Sequence, residues 1–145
     1  MSVSKDLPKY LVVVVLAGGL GAWLWHVAVP DRPGRGTVVA VKVPELSWMA
    51  KRGKVAFDSV CAACHGANAA GSDKGPPLVH QIYNPGHHPD TAFFRAVRSG
   101  APQHHWRFGA MPPQPQVTQE QITDIIQYIR ELQLANGITW QPHNM

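Results

Sequence analysis

Cys61-Ala62-Ala63-Cys64-His65 constrains this chain more than any other stretch of it. The two cysteines are the only ones present, and a bridge closing so short a loop restricts little of the unfolded chain, so a disulfide framework is excluded. Three chemistries remain for such a pair: a redox dithiol, half of a zinc site, or two thioether bonds to a haem. A dithiol has no need of the adjacent histidine and follows a strand, whereas here a helical pattern leads in. Zinc requires two more ligands at comparable spacing; spare histidines exist, but no second cysteine pair does. In the Cys-x-x-Cys-His arrangement the thiols add to the haem vinyl groups and the histidine swings under the iron as proximal ligand. One covalent haem on Cys61, Cys64 and His65 is therefore the expectation.

Helical periodicity surrounds the motif. Met49, Gly53, Ala56, Phe57 and Val60 share a face of a helix that delivers the chain to Cys61. A second helix is expected from about Pro89 or Asp90 to Ser99, stopped by Gly100, with Phe93, Phe94 and Val97 inward. The last helix is the best marked: Thr118 and Gln121 form a capping box, and Val117 and Ile122 stand as a hydrophobic staple. Ile122, Ile125, Ile126, Ile129 and Leu132 make its stripe, and Asn136-Gly137 ends it. Between these two helices, Pro102, Pro112, Pro113 and Pro115 require loop over residues 100–117.

At the other end, residues 10–29 carry no Asp, Glu, Lys or Arg, the length a helix needs to cross a bilayer. The reading is a retained anchor, with Trp23 and Trp25 as an interfacial belt; a cleaved signal peptide is the alternative. Residues 1–9 are then a cytoplasmic N-terminus, 10–29 the transmembrane helix, 30–47 a linker with one short strand in TVVAVKV, and 48–145 the haem domain. The 145-residue chain has room for about one such domain. Its net charge of +4 is split evenly along the chain, too weak a basic balance for nucleic acid.

Over residues 49–136 the sequence resembles the class I c-type cytochromes. Gly53 and Phe57 match the positions where that family's first helix crosses its last, with Ile125, Tyr128 and Ile129 opposite. Gly75-Pro76-Pro77-Leu78 is similar to the segment whose proline carbonyl, here that of Pro76, holds the proximal histidine's other N–H. Gly109-Ala110-Met111-Pro112-Pro113 looks like the sixth-ligand loop, making Met111 the distal ligand. Position agrees, since Met1 and Met145 are terminal and Met49 is too near the proximal side. An open sixth position, or ligation by His104 or His105, is the competing reading.

The resemblance implies an all-α fold of three to four helices around one haem c, after a single transmembrane helix. It implies a carrier, not an enzyme: a His/Met-ligated iron exchanges electrons without binding substrate. The expected setting is the bacterial inner membrane with the haem domain in the periplasm, between a quinol-oxidising complex and a terminal oxidase or other acceptor. A haem subunit of a larger oxidoreductase, or a haem enzyme or sensor with a labile sixth ligand, is the alternative. Trp106 is a candidate to cover a haem edge or donate to a propionate, and Lys51, Arg52, Lys54 and Lys74 to form a basic docking rim. His87, His88, His104 and His105 match no generic family role; solvated loop residues and a surface copper or zinc site are both open for them.

Overall fold

The structure is a computed structural model that describes residues 7–28 and 38–142. The chain divides into two units, residues 1–32 and 33–145. Helix α1, Leu7–Ala28, belongs to the first, and the side chains of residues 10–25 are exposed on every face. Among the described residues no helix is long and apolar enough to cross a membrane. The transmembrane helix expected over residues 10–29 is therefore not supported by the fold. Most of the expected N-terminal segment 1–9, and residues 29–37 of the expected span and linker, lie outside the described residues.

The second unit is helical, with no strand among the described residues. Helix α2 runs Trp48–Val60, the single turn α3 Ala62–His65, α4 Asp90–Ser99 and α5 Gln119–Ala135. The Ser47 hydroxyl caps α2 by accepting from the Ala50 N–H at 3.2 Å, and Ser47 N–H donates to Glu131 of α5 at 3.0 Å. The capping box of α5 is formed, with Thr118 Oγ1 accepting from Gln121 N–H and Gln121 Oε1 from Thr118 N–H. Val117 and Ile122 are both buried, as a staple requires.

Helices α2 and α5 cross at Gly53. A Cβ there would lie 1.9 Å from the Asp124 carbonyl oxygen, so only glycine lets the two backbones meet. One turn further on, Phe57 meets Tyr128 edge to face, ring centroids 5.6 Å apart. Ala50, Ala56, Ile122, Ile125, Ile129 and Leu132 complete the buried seam. Met49, expected on this face, stays exposed, and Ala50 takes the inward place.

The linker reading needs correction over its described part. Residues 38–47 form no strand, and Val39 and Val41 pack on the core beside buried Leu46. Their backbone groups find partners outside any ladder: Val39 N–H donates to the loop carbonyl of Ala70 at 2.9 Å. Lys42 exchanges two hydrogen bonds with the Asn136 side chain at the end of α5. The folded unit therefore begins ahead of α2, because an extended segment satisfied by a helix terminus has no need of a second strand.

Candidate functional site

A cavity of about 480 Å³ opens between α2, α4, α5 and the loop after α4, within the roughly 300–1,000 Å³ usual for cofactor pockets. Phe57, Ile125 and Ile129 give it an apolar floor, and Cys61, His65 and Met111 reach its wall. Cys61 sits at the C-terminal end of α2, half-buried, and Cys64 is exposed one turn later in α3. Burial pushes the Cys61 thiol up to about 11, with the neighbouring Cys64 adding to it. A reactive dithiol favours a stabilised thiolate, the opposite of what burial does at Cys61.

His65 is buried, and its Nδ1 lies 2.9 Å from the Pro76 carbonyl oxygen. A carbonyl only accepts, so Nδ1 carries the proton and the Nε2 lone pair is left to bind a metal. Burial lowers the tendency of this ring to protonate, against the pull of the Pro76 carbonyl. The loop that presents Pro76 is tied to the motif: Ser72 Oγ donates to the Cys64 carbonyl, and Gly71 N–H to that of His65 at 2.7 Å.

Met111 is held by backbone rather than by the prolines alone. Its N–H donates to the Ala101 carbonyl at 2.9 Å, and Ala101 N–H returns the bond at 3.0 Å. Gly100 makes this possible: it ends α4 at φ +77°, and a Cβ there would stand 2.5 Å from the Met111 carbonyl oxygen. His104 and His105 also border the cavity, but both are largely exposed, and His104 Nδ1 bonds its own loop at the Pro102 carbonyl.

Trp106 also lines the cavity. Its Nε1 is buried beside the Tyr83 hydroxyl without forming a well-aligned hydrogen bond, so an acceptor in the cavity would satisfy it better. The Trp106 and His80 rings meet edge to face, their centroids 5.2 Å apart. The donor set therefore fits a haem: the Cys61 thiol on the cavity wall with Cys64 exposed one turn on, a neutral imidazole, a thioether, apolar walls and an indole N–H able to serve an anionic acceptor.

Sequence reasoning passed over the framework behind the cavity. Arg130 of α5, mostly buried, donates to the Tyr83 carbonyl at 2.9 Å, the His88 carbonyl at 2.6 Å and Asp90 at 2.8 Å. Gln133 adds bonds to the Leu78 and Tyr83 carbonyls. Both residues stand on the helix carrying the apolar stripe, and only their targets, far back in the chain, reveal their task. The basic rim is weaker than expected. Arg52 is engaged by Asp124 and Glu120, and Lys54 by Asp58, leaving Lys51 and Lys74 exposed.

An α-helical shell enclosing an apolar cavity, with Cys-x-x-Cys-His at its mouth, defines a covalent haem protein. The family model described as Cytochrome c matches residues 50–133. The chain belongs to the cytochrome c family, whose members carry covalently attached haem c and perform haem-based electron transfer. No curated protein matches it.

Proposed function

We propose that this protein is a membrane-anchored monohaem electron carrier, with Cys61 and Cys64 as thioether anchors and His65 and Met111 as axial ligands. The observation that carries the reading is the pair of restraints on the two axial candidates, His65 Nδ1 on the Pro76 carbonyl and Met111 locked to Ala101 by two backbone bonds. Bound haem c supplies a one-electron ferric/ferrous couple. Pro76 fixes the ring of His65 and raises its basicity; Met111 would hold the iron from the other side, and Trp106 Nε1 would be available to a propionate. Phe57, Ile125 and Ile129 keep water from the ring, which together with the thioether favours the ferrous state.

The anchor reading rests on the sequence, which carries no Asp, Glu, Lys or Arg from Tyr10 to Val29. The haem domain then works in the bacterial periplasm, between a quinol-oxidising donor and a terminal oxidase or other acceptor, where tethering raises its effective concentration.

Met111→Ala in the full chain tests the ligand assignment. The haem should remain covalently attached, become high-spin, bind CO and fall in potential, while Met111→His stays low-spin at a lower potential. An unchanged spectrum and potential in Met111→Ala would move the ligand to His104 or His105. For the anchor, intact protein should begin near Met1 and require detergent; mature protein beginning at Ala22 would show a cleaved signal instead.

A further inference from the structure

Four histidines unexplained by the haem site come together although they lie in two loops on either side of α4. His87 and His88 precede the helix, and His104 and His105 follow it. The ring of His105 is centred 5.0 Å from that of His87 and 5.2 Å from that of His88. One ligand nitrogen from each of His87, His88 and His105 lies within 4.8 Å of the other two. We propose that these three residues bind one divalent transition-metal cation of the copper or zinc class, clamping together the two loops that wall the cavity.

The geometry is close to what such an ion needs. Imidazole nitrogens about 2.0–2.1 Å from a tetrahedral metal stand roughly 3.3 Å from one another. The Nε2 atoms of His87 and His105 are already 3.0 Å apart, one edge of that tetrahedron. His88 donates from Nδ1 to the Ile82 carbonyl at 2.8 Å, which fixes its tautomer and leaves the Nε2 lone pair as ligand. A ligating histidine is usually oriented in this way, by a carbonyl on its other nitrogen. Closing His88 onto the pair takes at most about 1.5 Å, since the three ligand atoms already lie within 4.8 Å of one another.

The scaffold is rigid enough to hold the site. Asn84, buried, accepts from the Gly86 and His87 N–H groups through its side chain and from the His88 N–H through its carbonyl. Arg130 grips the His88 carbonyl from α5. Three neutral nitrogen ligands without thiolate or carboxylate suit copper and zinc better than calcium or magnesium, and the Irving–Williams order places Cu²⁺ above Zn²⁺. A fourth position is left for water or for His104, whose ring lies 4.4 Å from that of His105. The site uses none of the residues proposed to hold the haem, but it rests on Met111 as the sixth ligand, since His105 cannot serve both metals; the haem spectrum of His105→Gln separates a failure of one from a failure of the other.

The test uses untagged, full-length oxidised holoprotein in detergent, stripped with a chelator and titrated with Cu²⁺ or Zn²⁺. One equivalent per haem is expected, with a Cu²⁺ electron paramagnetic resonance signal showing coupling to three imidazole nitrogens beside the ferric haem signal. His87→Gln and His105→Gln, each with an unaltered haem spectrum, should weaken binding at least about 10–100-fold. Metal should also raise the melting temperature of the parent but not of the variants. Substoichiometric binding, fewer than two coupled nitrogens, or undiminished affinity in a folded variant would overturn the proposal. Should neither variant fold, the nitrogen count on the parent protein still decides.

Discussion

Replacing Gly53 by alanine should loosen the α2–α5 crossing and the cavity floor with it. The new Cβ would sit 1.9 Å from the Asp124 carbonyl oxygen and 2.9 Å from the Ile125 nitrogen, both backbone atoms that cannot rotate away. Ordinary contact at 3.4 Å requires the helices to part by about 1.5 Å. Phe57, fully buried at this seam, makes roughly 50 contacts of about 0.15 kcal/mol, and a gap of even 0.5–1 Å forfeits a quarter or more, near 2 kcal/mol. Tyr128 and Ala50 lose smaller amounts, about 1–2 kcal/mol together. Against this, alanine improves the helix by about 1 kcal/mol. The net loss is about 2–3 kcal/mol, a fall of about 1 M in the urea midpoint at a slope near 2 kcal/mol/M. Urea unfolding of the holoprotein, followed by far-ultraviolet circular dichroism and the Soret band, measures it. Val55→Ala, at an exposed position of the same helix, is the control that should leave the midpoint within a few tenths of a molar. An unchanged or raised midpoint in Gly53→Ala would refute the close-approach argument.

Trp106→Phe removes a buried donor, so the sign of its effect reveals the partner: with a propionate accepting, the holoprotein should lose about 1.5–3 kcal/mol in chemical denaturation, whereas a true orphan would leave stability unchanged or improved. Arg130→Lys cannot reproduce bonds to Tyr83, His88 and Asp90 from one guanidinium, so hydrogen exchange over residues 83–90 should quicken and stability fall by about 2–4 kcal/mol. Glu131 is nudged upward by burial, but its hydrogen bonds from Ser47 and Gln127 prevail and hold its carboxyl below the usual range. Because its folded pKa is depressed, its contribution is complete above about pH 4.5 and is lost as pH falls through the folded value; Glu131→Gln should flatten the acid limb of a stability–pH profile there.

Where the physics is local, the residues alone determined the outcome. The Cys-x-x-Cys-His spacing dictates attachment chemistry because thiols and imidazole are within one turn of each other. The Thr118–Gln121 capping box and the isoleucine stripe dictate where α5 starts and which face it buries, since both act over three or four residues. Position Gly53 was readable for the same reason, as a small residue on an apolar face. The extended segment ahead of α2 was misread because its partners, Ala70 and the Asn136 side chain, are brought to it by the rest of the fold. Arg130 carries no sequence signal of its own, and only packing aims it at carbonyls more than forty residues away. The histidines show the division most clearly. As two pairs in separate loops they read first as solvated side chains and only second as ligands, and the path of α4, which carries His105 back to within 3.0 Å of His87, brings them into one cluster. Composition and spacing set what each residue can do; the distances that let distant ones act together come from burying the apolar faces of α2, α4 and α5 in one core.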